Sequence, residues 1–132
     1  MDIIIIDWLS VLIAAILYMI IGALWYSPYF FGKLWMKYMK LTPKDMKGKS
    51  WRYVTGFICA LILALFLSVL QAFLQANTTW DGIFVGIGVW IGFIATSHFA
   101  LFQWSSKPWG LYWIDVGFFL VALIIMGGII GA

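Results

Sequence analysis

The chain has 132 residues, 65% of them apolar and only 10% charged, with no glutamate and a formal net charge of +3. Soluble domains run nearer half apolar with about a quarter charged. This composition, with a mean hydropathy of +1.05, excludes a soluble, a disordered and a disulfide-scaffold protein. Spans of about 20 residues would use most of the length, leaving one sizeable loop and no room for a second globular domain.

The first apolar run covers residues 8–26 and stops at Ser27-Pro28. It has neither a basic leader nor a small-residue cleavage site, so it reads as a retained span rather than a signal peptide. Ala15, Tyr18, Gly22 and Tyr26 make one stripe along it.

The loop over residues 27–52 follows. Lys33, Lys37, Lys40 and Lys44 recur there at helical spacing, opposite Phe31, Leu34, Trp35, Tyr38 and Leu41. That pattern predicts a short amphipathic helix lying in the headgroup plane, its lysines on anionic lipid. Thr42-Pro43-Lys44-Asp45 then predicts a fresh helix start, with Thr42 as N-cap and Asp45 near the capping-box position.

Three further apolar runs cover residues 53–74, 82–102 and 111–130, each long enough to cross about 30 Å of hydrocarbon as a helix. Small residues at four-residue spacing mark where helices can approach closely. The second run has Gly56, Ala60, Ala64 and Ser68, continued by Gln71. The third has two such faces, Gly82/Gly86 and Gly88/Gly92, and the fourth carries Gly117, Ile124, Gly128 and Gly131 on one side. The expectation is an all-α integral membrane bundle of four spans plus the interfacial helix. Spans two and three should make the closest contacts, and one glycine face should serve between protomers.

Seven of the eight basic residues lie between spans one and two, and Lys107 lies between spans three and four. The remaining segments carry Asp2, Asp7 and Asp81 and no cation. The positive-inside rule therefore places both loops in the cytoplasm and both termini outside. Trp8 and Trp80 fall at the outer interface; Trp25, Trp51, Trp104, Trp109 and Trp113 fall near the inner one. The basic patch fits anionic headgroups at the cytoplasmic face, and no nucleic-acid partner is implied.

Two ionisable residues fall within the spans, His98 and Asp115. Both should lie roughly 6–9 Å below the inner interface on consecutive antiparallel helices. An intramembrane acid is a functional hypothesis by default. Tyr26, Arg52, Thr96 and Ser97 share that depth, and Arg52 is a second potential partner for Asp115. Structural pairing of helices is the plainer use of these groups.

One histidine, one cysteine and no glutamate cannot supply a zinc or di-iron site. His98 alone is no haem motif, so neither metal nor cofactor is expected. Cys59 and Trp90 read as packing residues. No nucleotide loop or triad spacing is present.

The stretch Gly22-Ala23-Leu24-Trp25-Tyr26-Ser27-Pro28, with Phe31-Gly32-Lys33 and Trp35, resembles the signature of a bacterial membrane family catalogued as domain of unknown function 1761. The resemblance extends to His98-Phe99-Ala100-Leu101-Phe102 and to Met126-Gly127-Gly128. It implies a small four-span protein and carries over no catalytic residue. The expected function is a non-enzymatic bundle in the inner membrane, self-associating or serving as an accessory subunit of a larger complex. The alternative is a small channel or transporter with a polar site at His98 and Asp115.

Overall fold

The computed structural model describes residues 5–132; Asp2, named above as an outer acid, lies outside them. The helices are α1 (Trp8–Trp25), α2 (Gly32–Met39), α3 (Trp51–Leu74), α4 (Thr79–Val89), α5 (Thr96–Phe102) and α6 (Trp109–Gly131). A π-helical segment, Trp90–Ala95, joins α4 to α5, and a 3₁₀ turn, Pro43–Met46, follows α2. Among the described residues there is no strand. Four helices are long and apolar enough to cross a membrane: α1, α3, the continuous Thr79–Phe102 rod and α6.

Local chemistry sets where the rods start and stop. The Asp7 carboxylate accepts from the Leu9 and Ser10 amides at 3.2 and 3.4 Å and from the Ser10 hydroxyl at 2.7 Å, capping α1. Thr78 caps α4 by accepting from the Asp81 amide at 3.1 Å. Lys40 and Gln75, at φ 57° and 56°, take left-handed conformations that end α2 and α3. Asp45 reaches back to the Thr42 amide at 2.8 Å, as the sequence suggests, although the segment it caps is one 3₁₀ turn. The Thr42 amide and hydroxyl hold the Asp45 carboxyl below the usual carboxylate range.

Helix α6 is the hub. Half of its apolar window is buried, against 28% for α3, 17% for α1 and 6% for the α4–α5 rod. It packs against α4 on one side and against α1 and α3 on the other. The main cluster joins Val11 and Ala14 of α1, Ala64 and Leu67 of α3, and Phe118, Ala122, Leu123 and Met126 of α6. A helix apolar all round suits that central place.

The tightest contact is α4 on α6, not spans two and three. A Cβ on Gly82 would collide with the Gly127 carbonyl, one on Gly86 with the Leu123 carbonyl, and one on Gly131 with the Thr78 carbonyl. Backbones that meet this closely tolerate only glycine, and dispersion across the seam holds the two helices together. Gly128 fits the same seam, its Cβ direction 3.3 Å from Ile83. Helices α3 and α4 touch only slightly.

The α3 stripe packs inward as its spacing implies: Ala60 and Ala64 are fully buried and Ser68 nearly so. A Cβ on Gly56 would lie 3.8 Å from Met19 of α1, and one on Gly22 would lie 3.5 Å from Phe118 of α6. Gly88 and Gly92 depart from expectation. Nothing lies within 4 Å of a Cβ at either. They sit about a third of a turn from the Gly82/Gly86 face, which is the one that meets α6.

Helix α2 folds back onto the bundle. A Cβ on Gly32 would strike the Tyr26 and Ser27 carbonyls, and one on Gly110 would press into the Tyr38 ring. Trp35, Met36, Tyr38 and Met39 are half-buried, while Lys33, Lys37, Lys40 and Lys44 are exposed.

Candidate functional site

The return of the chain after α1 builds a polar recess. Helix α1 ends as the Tyr26 amide bonds back to the Gly22 carbonyl, and Ser27-Pro28 turns the chain. The Phe31 and Gly32 amides then donate to the Trp25 and Ser27 carbonyls, each at 3.0 Å, which sets α2 across the first turns of α6. Tyr26 Oη donates to Asp115 Oδ1 at 2.6 Å. The Tyr26 ring meets Trp35 edge-on at 5.7 Å and Phe118 at 5.7 Å. A recess of about 340 Å³ opens beside this pair, lined by Tyr26, Gly32, Trp35, Met36, Met39 and Asp115.

Two tryptophans brace α6 on either side of Asp115. Trp25 Nε1 donates to the Ile114 carbonyl at 2.9 Å, and Trp90 Nε1 donates to the Val116 carbonyl at 2.7 Å. One indole comes from α1 and the other from the π-helical segment, so the backbone that carries the carboxylate is held from two neighbours. Buried indole N–H groups require an acceptor, and in an apolar interior only backbone carbonyls are at hand.

The π-helical segment is the second feature. A π turn shifts the hydrogen-bond register and leaves carbonyls to be satisfied locally. Thr96 Oγ1 donates to the Gly92 carbonyl at 2.9 Å, and Ser97 Oγ donates to the Phe93 carbonyl and, at 3.2 Å, to that of Ile94. His98 Nδ1 lies 2.8 Å from the Ile94 carbonyl, and Tyr112 Oη donates to the Ala95 carbonyl at 2.8 Å. Three consecutive polar residues and one tyrosine thus cap four consecutive carbonyls. The span that reads as unbroken in sequence contains this interruption at mid-length.

Of the residues singled out from the sequence, Tyr26 and Asp115 are brought into direct contact. His98 bonds its own helix and rests against the Phe119 ring at 5.6 Å, so no hydrogen bond joins it to Asp115. Arg52 is not the counter-ion of Asp115; its guanidinium lies 5.6 Å from the Trp51 ring, on the exposed first turn of α3. Thr96 serves the π turn. Among the described residues no three His, Cys, Asp or Glu side chains converge on one point.

Trp25 turns its indole N–H to α6, and Trp90 is a hydrogen-bond donor as well as a packing residue. Trp35 is a wall of the recess. For Trp90 the signal was available, because an indole N–H at mid-span has no water to donate to. For Trp25 and Trp35 nothing in the spacing distinguishes an inward indole from an interfacial one.

No curated protein and no solved structure matches the chain. A family model does, over residues 9–131, nearly the whole length, and that extent shows membership: the chain belongs to the family described as protein of unknown function (DUF1761).

Proposed function

We propose that this protein is a non-enzymatic, multi-pass bundle of a bacterial inner membrane that works by association, with a second copy seated on the α4–α5 rod. Gly88 and Gly92 carry this reading. Glycine in a helix interior is disfavoured by about 1 kcal/mol relative to alanine. In the α4–α6 seam Gly82, Gly86, Gly127 and Gly131 each have a backbone against them and Gly128 has the Ile83 side chain, whereas a Cβ on Gly88 or Gly92 would meet nothing within 4 Å among the described residues. The rod is also the least buried of the four, and Thr96, Ser97 and His98 are exposed on it.

Both termini lie outside in this reading, and the lysine-bearing end, with α2, lies in the cytoplasm. Helix α2 rests in the headgroup layer with Lys33, Lys37, Lys40 and Lys44 on anionic lipid. A place as accessory subunit of a larger complex would use the same rod against a different protein. The channel alternative has less support, because Val116, Ala122, Leu123 and Met126 fill the interior at 0% exposure.

Cysteine cross-linking tests the association. In a Cys59→Ser background, Gly88→Cys or Gly92→Cys should give a disulfide-linked dimer in native membranes, and Phe66→Cys, exposed on α3, should not. Equal cross-linking at all three sites, or at none, would defeat the proposal.

A further inference from the structure

We propose that the recess between α2 and α6 binds an aminoethyl phosphate group, its ammonium on Asp115 and its phosphate at Lys107. The floor of the recess is a half-buried carboxylate whose polar neighbours are Tyr26, Trp35 and, further off, His98. Among the described residues no lysine or arginine pairs with it. The walls are two aromatic rings, Tyr26 and Trp35, and two thioethers, Met36 and Met39. A carboxylate enclosed by aromatic faces and polarizable sulfur recognises an ammonium group: the charge pairs with the acid, and its C–H and N–H bonds pack against the rings.

The rim selects among ammonium ligands. Lys107 Nζ lies 3.4 Å from Met39 Sδ, which places a positive charge beside one wall of the recess. A bare cation entering there is repelled, and a simple anion is repelled by the carboxylate below. A ligand bearing both charges, positive end inward, meets neither penalty. Asp115 stands in the second turn of α6 and Lys107 two residues before that helix begins, and Met39 lines the recess with Asp115 while touching Lys107. One side chain, Met39, thus stands between the two charges, a separation that suits a short linker between ammonium and phosphate rather than an extended chain. The volume of about 340 Å³ accommodates such a group with room to spare.

The recess lies at the lysine-bearing end of the bundle, where phospholipid headgroups are at hand. The same chemistry comes from an ethanolamine phospholipid headgroup or from free aminoethyl phosphate, and the two sources are separable by experiment. This site shares no residue with the Gly88/Gly92 face, so either proposal can fail without the other.

The test is protection of a thiol in the recess. In full-length protein with Cys59→Ser and Met39→Cys, alkylation of the introduced thiol is followed in mild detergent with aminoethyl phosphate, ethylamine or inorganic phosphate. It is then followed in vesicles of phosphatidylethanolamine or phosphatidylglycerol. Slowing by aminoethyl phosphate over both fragments supports the site and a soluble source. Slowing in phosphatidylethanolamine vesicles alone supports the site and a lipid source. Asp115→Asn should weaken protection about tenfold or more, the loss of one charge-assisted contact. Lys107→Gln, in an exposed loop where folding is not at stake, should reduce the advantage of aminoethyl phosphate over ethylamine. Absence of protection by both sources, protection by ethylamine as strong as by aminoethyl phosphate, or indifference to Lys107→Gln each overturns the proposal.

Discussion

Gly82 of α4 and Gly127 of α6 meet backbone to backbone, each occupying the place where a side chain on the other would run into its carbonyl. Gly127→Ala should therefore destabilise the bundle by about 1–3 kcal/mol through overpacking. Gly88→Ala, with open space around it, should be neutral or slightly stabilising for the single chain. Thermal unfolding of the two variants in mild detergent compares them directly; equal midpoints would mean that the α4–α6 seam is looser than described.

The hydroxyl of Tyr26 donates to Asp115 Oδ1 at 2.6 Å. Tyr26→Phe leaves the carboxylate in its recess without that donor and should cost about 1–3 kcal/mol. Removing both ends, with Tyr26→Phe and Asp115→Leu together, should recover most of the loss, because no orphaned polar group remains. A double-mutant cycle read by unfolding measures the coupling, and a value of zero would count against the contact.

Trp90 and Trp25 both donate to α6, yet from different neighbours. Trp90→Phe and Trp25→Phe keep an aromatic ring and lose the N–H, so each should cost about 0.5–1.5 kcal/mol. Hydrogen bonds between membrane helices average near the low end of that range. The two losses should add, since one brace links α1 to α6 and the other links the π-helical segment to α6.

The capping box at Thr42 and Asp45 should be acid-labile. Hydrogen bonds from Thr42 hold the folded carboxyl below its ordinary value of 3.8. A depressed value means that the stabilisation is complete above pH 3.8 and is lost as pH falls through the lower, folded value. Protection of the Thr42 amide from exchange should be constant above pH 3.8 and fall as pH drops below it, and Asp45→Asn should abolish that step.

Orientation has a direct test in sealed cells. In a Cys59→Ser background, Thr79→Cys should react with an impermeant maleimide from outside and Lys47→Cys should not. Reaction of the Lys47 variant in intact cells would invert the topology.

Composition and the length of apolar runs were enough to identify helices that can cross a membrane, because a backbone in hydrocarbon must satisfy its own hydrogen bonds and long apolar runs leave a helix as the simple solution. The Asp45 capping box is local, three-residue chemistry, so it too was open to reading. Glycine spacing showed which faces could approach a neighbour. It could not say which neighbour, since Gly82/Gly86 and Gly88/Gly92 are equivalent as strings and only the first pair meets another backbone. Tertiary structure alone decided that α6 is the hub, that Tyr26 rather than His98 or Arg52 bonds Asp115, and that the third span carries a π turn capped by Thr96, Ser97 and His98. Contacts of this kind join residues up to 89 positions apart. They depend on the rotation of each rod about its axis, and a uniformly apolar helix carries too little contrast between its faces to write that rotation into its sequence.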